Sequence, residues 1–262
     1  MYREDFTTQN RQPKGYPLRP DAVSTLHEAP AGRISIPRLH KSFSKVMQMV
    51  SSSHGLDQVF SDFLEMTVCS FQMGADEEHY FRTIKRYKTP QLYNMAEALA
   101  YLIIEMDGNG TGYVDVLGGF FEEYISHGHN GQFFTPMPIC EMMARLQGPI
   151  EPGAVIADCA CGSGRTLMAA ASLQPAARFF AADVSRNCAL MTAINFCLNG
   201  MFGEVNWMDS LSNHWYGGWR IELHPTGLTP YLRKITEDES FMLLRLPELP
   251  PAAGPVQLAL EF

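Results

Sequence analysis

Between Ile36 and Ser126 apolar residues recur at three- and four-residue spacing. FSKVMQMV, LDQVFSDFLEMTVCSF, EEHYFRTIKRY and QLYNMAEALAYLIIEM each place them on one face of a helix, so this stretch is predicted to be amphipathic helices packed on one another. Beyond Pro149 the pattern changes to short β-prone runs, AVIADC, RFFAADV and EVNWMD, separated by the helix-like GRTLMAAASLQ and SRNCALMTAINFCLNG. Alternation of this kind predicts an α/β fold, a parallel sheet flanked by helices. Residues 1–30 carry Pro, Gln, Asn and Thr without periodicity and read as an irregular arm. The expected division is therefore an arm over 1–30, a helical N-terminal domain over 31–127 and an α/β domain over 128–262. The last fifty residues are the least patterned: Trp215, Gly217, Gly218, Pro225, Gly227 and Pro230 punctuate them, and LPELPPAAGP is rich in turn residues.

With 262 residues the chain is long enough to bury a sizeable core without disulfides. Its six cysteines, Cys69, Cys140, Cys159, Cys161, Cys188 and Cys197, lie mostly in apolar runs and show no CxxC pairing, so they are expected as reduced, mostly buried thiols. The charged, proline-rich start is no signal peptide, and no apolar run approaches the roughly 20 residues of a membrane span, so a soluble, cytoplasmic protein is expected. A net charge of −8 disfavours tight binding to DNA by this chain alone. Two basic clusters, Arg33, Arg38, Lys41 and Lys45, then Arg82, Lys85, Arg86 and Lys88, read first as solvated helix faces.

The sharpest chemical signal is Asp158-Cys-Ala-Cys-Gly162-Ser163-Gly164, set between the apolar AVIA and the helix-like RTLMAAA. Glycines at 162 and 164 permit positive φ and a close backbone approach to a ligand, and the helix that follows offers unpaired N–H groups. RFFAAD ends in Asp183, placed to accept the hydroxyl hydrogens of a ribose, and EVNWMD ends in Asp209. All three acids are expected at carboxyl ends of parallel strands, where open α/β sheets bind ligands. The glycine spacing is neither the GxGxxG of nicotinamide enzymes nor a P-loop, which argues against NAD and ATP.

Gly131-Gln-Phe-Phe-Thr-Pro136 and Asp158-Cys-Ala-Cys-Gly-Ser-Gly164 resemble the GQFFTP and DPACGSG motifs of N6-adenine DNA methylases, in particular the modification subunits of type I restriction systems. The likeness runs from about residue 117 to 211, through AINFCLNG and into Asp209-Ser210-Leu211. It implies a Rossmann-like methyltransferase domain that binds S-adenosylmethionine. The pocket would be built from Phe133, Phe134, Thr135, Pro136, Asp158, Ala160, Gly162, Ser163, Gly164, Asp183, Val184, Asp209 and Ser210. Within it Gly162 and Gly164 would hold the methionine end, Asp183 the ribose, and Asp209 would face the adenine amine. Cys159 stands where the family has proline and should loosen the turn. The implied partners are DNA and a separate specificity subunit that reads its sequence.

The family polarises the adenine amine with an Asn- or Asp-Pro-Pro-aromatic motif, whose ring stacks on the flipped base. This sequence has none; the nearest approximations are Leu228-Thr-Pro-Tyr231 and Leu249-Pro-Pro-Ala252. Tyr231 is the one weak catalytic candidate, with a packing or turn role as its alternative. Two functions compete: methyl transfer to adenine in DNA, and a catalytically inactive cofactor-binding module with an interaction or regulatory role. An RNA or small-molecule methyltransferase ranks below both. No metal is assigned. Asp107 to Asp115 imitates a calcium loop through its ninth position but has Gly118 where a glutamate should close the coordination, and His127 and His129 read as an exposed turn.

Overall fold

Phe43, Val46, Met47 and Val50 form the inward stripe of α1 (Phe43–Val50), and all four are buried. The structure, a computed structural model, describes residues 41–51, 54–107, 112–126, 133–227 and 229–245. The stretches 1–30 and 249–252, Gly131, Gln132, His127, His129 and Leu228 lie outside the described residues, as do positions 108–111 of the calcium-like loop. The predicted helical half is present as α1, α2 (Leu56–Phe71), α3 (Glu77–Ile84) and α4 (Thr89–Met106). Their buried residues fall at helical spacing, as with Met95, Ala98, Leu102 and Met106 of α4. α5 (Val116–Phe121) runs into one turn of π-helix over Glu122–Ser126. After α6 (Met137–Leu146) the strands begin.

β1 (Val155–Asp158), α7 (Arg165–Leu173), β2 (Arg178–Asp183), α8 (Arg186–Leu198) and β3 (Gly203–Asp209) make two successive βαβ units. β1, β2 and β3 are parallel neighbours. The three aspartates close the three strands, as expected. α8 is buried from Cys188 to Cys197 because it is covered on both sides, by α2 and by the sheet. Arg186 at its start pairs with Glu65 of α2, and Asn187 donates to Ser61 at 2.8 Å. The described residues cluster as one compact unit.

The expected parallel sheet is present as β1, β2 and β3, and it continues with two antiparallel strands. Four residues join β3 to β4 (His214–Leu223), with Asn213 in the left-handed region at φ 57°. So short a link has no room for a crossover helix, so β4 returns antiparallel, and β5 (Pro230–Lys234) pairs antiparallel to it. The spatial order is β1-β2-β3-β4-β5, with β1 and β5 at the edges among the described strands. The stretch that carried no readable pattern is therefore the hairpin side of the sheet.

On the face away from α8, Glu204 of β3 is fully buried. Its carboxylate accepts from Asn206, Ser240, the Phe241 amide and Arg220. Phe241 packs on Phe180 with ring centroids 4.2 Å apart, so residues 236–245 cover this face over β2 and β3. The basic clusters resolve partly into surface ion pairs, Lys41 with Glu97 and Arg82 with Glu78, and Arg86 reaches the buried Asp62.

One carboxylate ties the layers together. Asp115 caps α5 by accepting from the Gly118 amide at 2.8 Å. It also accepts from Ser163 Oγ at 2.6 Å, Arg165 Nε at 2.6 Å and Asn195 Nδ2 at 2.8 Å. It thus links α5, the glycine turn, the start of α7 and α8. The end of the calcium-like loop is a saturated ion-pair centre, with no acceptor capacity left over for a cation. Asp115→Ala would leave Arg165 with Glu122 alone and strip Ser163 and Asn195 of an acceptor. We expect a loss of about 3–5 kcal/mol in unfolding free energy by urea titration. The double variant Asp115→Leu/Arg165→Met should lose less than the sum of the two single changes, which a double-mutant cycle measures.

Candidate functional site

The turn between β1 and α7 begins at Asp158, whose Oδ1 accepts from the Ala160 amide at 3.0 Å and whose Oδ2 accepts from Thr166 Oγ1. Gly162 has φ 57° and Gly164 φ 90°, both in the left-handed region that the turn needs, so glycine there is required by conformation. The close approach at each is to protein. A Cβ on Gly162 would lie 2.7 Å from the Phe134 ring, and one on Gly164 would lie 3.1 Å from the Thr192 methyl of α8. The turn is further fixed by Cys161 N donating to Ala182 O at 2.9 Å and Thr192 Oγ1 donating to Gly162 O at 2.9 Å.

Asp183 at the end of β2 faces this turn. Its two oxygens accept from the Gly162 amide at 2.9 Å and the Ser185 amide at 2.8 Å, which leaves lone pairs on both. Burial raises its pKa above the ordinary 3.8, against the lowering effect of those two amides, and the nearby Asp158 raises it further. Burial likewise pushes the neighbouring thiols up, Cys161 well above its usual range and Cys188 to about 12, so neither is a nucleophile here. Cys159, by contrast, is exposed.

Phe134 is held over the turn from three sides. Its amide donates to Glu122 at 3.2 Å, its ring stacks on Phe121 at 5.5 Å, and the Arg165 guanidinium lies 5.5 Å from the ring centroid. Arg165 bridges Asp115 and Glu122, and although burial works against its charge, those two carboxylates raise its pKa on balance.

These elements enclose a cavity of about 280 Å³ at the carboxyl ends of β1 and β2. Of the sequence-derived candidates, Phe133, Phe134, Thr135, Asp158, Ala160, Gly162, Ser163, Asp183 and Val184 line it. Pro136, Gly164, Asp209 and Ser210 are not in its lining. Pro136 is the N-cap of α6, and Gly164 begins α7 against α8. Asp209 is half-buried and closes the β3–β4 turn by accepting from the Leu211 and Ser212 amides; the Ser212 hydroxyl and these amides hold its pKa below the ordinary value. Ser210 donates to Cys159 O at 2.9 Å and so ties that turn to the glycine turn. Tyr231 is not brought to the cavity. It sits on β5, at the opposite edge of the sheet from β1, and donates to Glu222 at 2.9 Å.

The lining also includes Cys161, Arg165, Thr166 and Cys188, which sequence reasoning passed over. Asp115, Glu122 and Asn195 support it from behind. Asn195, a polar residue in the middle of a largely apolar helix, was an available signal for this support. Among the described residues no group of His, Cys, Asp or Glu could hold a metal ion, and no helix is long and apolar enough to cross a membrane.

Residues 112–223 match the family model described as N-6 DNA Methylase. No curated protein matches the chain. Among solved structures, the crystal structure of a type I restriction-modification system methyltransferase subunit from Streptococcus thermophilus is 20% identical, with a TM-score of 0.32, over 61% of this chain. The similar region spans only 36% of that subunit. Residues 112–223 thus carry the pattern of the N-6 DNA methylases.

Proposed function

We propose that the chain binds S-adenosylmethionine in the cavity at the ends of β1 and β2 and serves as the cofactor-holding module of adenine-N6 methylation in DNA. The observation that carries this reading is the charge of the lining. Asp158 and Asp183 both face the cavity, while Arg165, the one Lys or Arg among its described lining residues, is bound to Asp115 and Glu122. Such a site repels the phosphates of ATP or NAD and suits a ligand bearing a sulfonium and an ammonium. The bound cofactor would supply an electrophilic methyl group. Asp183 has free lone pairs to accept two ribose hydroxyls, the 160–163 turn would take the amino-acid end, and the exposed Phe133 would form an outer apolar wall.

The residues that resemble the amine-polarising motif do not join this site: Thr229, Pro230 and Tyr231 lie at or in β5, across four strand pairings from β1. That favours the second reading, in which the chain is a catalytically inactive cofactor-binding module with an interaction or regulatory role.

Calorimetric titration of S-adenosylmethionine should give saturable binding. Asp183→Ala should weaken it by at least about tenfold, since it removes a charged acceptor worth about 1.5–3 kcal/mol per hydrogen bond, and Asp183→Asn should weaken it less. No binding to the folded wild type would overturn the cofactor reading. Labelled-methyl transfer to varied DNA should be absent for the chain alone; turnover abolished by Asp183→Ala would exclude the second reading.

The pH dependence follows from the raised pKa of Asp183. Ribose binding needs the ionised carboxylate, so affinity should fall as pH drops through a range above the ordinary 3.8. The unliganded fold responds in the opposite sense at this group. The folded state holds the proton more tightly than the unfolded chain, so this contribution to stability is lost as pH rises through the same range. Titrations between about pH 4 and 7 on wild type and Asp183→Ala check both, the variant showing a flatter affinity profile.

A further inference from the structure

A second cavity of about 280 Å³ lies between α2, α3, the start of α8 and the hairpin side of the sheet, and it shares no described lining residue with the first. Gly217 makes room for it. This residue pairs with Trp207 across β3 and β4 and so lies on the same face of the sheet, where a Cβ would meet nothing within 4 Å. The wall at this point is flat: Trp207 stacks on Tyr216 with ring centroids 4.8 Å apart, and the Arg186 guanidinium lies 4.7 Å from the Trp207 centroid. Two further lining residues, Gln72 and Trp219, are exposed by only 5% and 6%, and neither Gln72 Oε1 nor Trp219 Nε1 has a hydrogen-bond partner in the protein. Buried polar atoms of this kind are rare in folded proteins, so two of them on the walls of one cavity point to a ligand that supplies the missing donor and acceptor.

The charge of this lining is opposite to that of the first cavity. Among the described lining residues Arg82, Arg186 and Lys234 outnumber Glu65 and Asp76. Both carboxylates are engaged in the wall: Glu65 by Arg186 and by His79 at 3.1 Å, Asp76 by Lys234 at 3.5 Å. Arg82 and Lys234 are mostly exposed, their ion pairs are of the weak surface kind, and both keep N–H donors for an anion. We propose that the cavity binds a nucleoside monophosphate. The base lies along the Trp207 and Tyr216 wall in the space that Gly217 leaves, since aromatic and guanidinium faces stack on any base. Its edge accepts from Trp219 Nε1 and bonds to the Gln72 amide, which can accept and donate as a base edge requires. Its phosphate meets Arg82 and Lys234, and the volume is near the lower bound of small-ligand sites, as a single nucleotide needs.

The test is calorimetric titration of the full chain, without S-adenosylmethionine, using the 5′-monophosphates of adenosine, guanosine, cytidine and uridine as probes, with the four nucleosides and inorganic phosphate as separate arms. At least one nucleotide should bind saturably and quench tryptophan fluorescence, because two of the three tryptophans line the cavity. Its nucleoside and inorganic phosphate should each bind at least about tenfold more weakly, and added salt should weaken the nucleotide. Gly217→Leu, which fills the cavity from a position with open space and no left-handed φ, should abolish binding. Gln72→Met keeps the length of the side chain and removes the unpartnered amide, so it should weaken binding without lowering the thermal melt. Arg82→Gln and Lys234→Gln should each weaken the nucleotide and leave the nucleoside unaffected; both are surface changes, and they carry the test should Gly217→Leu not fold. Absence of binding by all four nucleotides would overturn the proposal, as would inorganic phosphate binding as tightly as the nucleotide, or charge-removing variants that bind like the wild type. Binding that is lost in Asp183→Ala and kept in Gly217→Leu would put the nucleotide in the first cavity and overturn it as well.

Discussion

The buried pair of Asp115 and Arg165 organises the site. Removing two opposite charges from water is costly, and only a full set of partners makes the arrangement stable. Here the carboxylate takes four donors, and the guanidinium takes two carboxylates and the face of Phe134. The consequence is positional. The segment carrying Phe133 to Pro136 and the glycine turn, separated by more than twenty residues, are held against each other by a charge network that uses residues from α5, the π-helical turn and α8. With Arg165 fully engaged, the cavity is left with the negative character of Asp158 and Asp183.

The second organising constraint is where the sheet stops. In open α/β sheets ligands bind at the crevice beside the strand where the chain order reverses. Here the run β1-β2-β3 is present, and the chain then turns back as a hairpin on the far side of β3. β1 is consequently an edge strand among the described residues, with Val155 exposed by 44%, and the cavity lies at the border of the sheet. Among the described residues no strand lies on the far side of β1 to extend the border of the cavity.

Local pattern was enough to read the helices α1 to α4, α7 and α8, the three strands ending in aspartate, and the glycine turn, because periodicity and φ preference act between residues close in sequence. The resemblance to the adenine methylases, and not local pattern alone, named most of the cavity lining, from Phe133 to Val184. Other decisions depended on contacts between residues tens of positions apart. Nothing local distinguishes a third parallel strand followed by a hairpin from one followed by another crossover, so the mixed sheet and the placement of Tyr231 at the far edge emerged only in three dimensions. Asp115 looked like the end of a cation loop until Arg165, Ser163 and Asn195 closed around it. Gly162 and Gly164, chosen in sequence terms for a ligand's approach, are required as much by the Phe134 ring and by α8, a packing demand that exists only once the chain has folded.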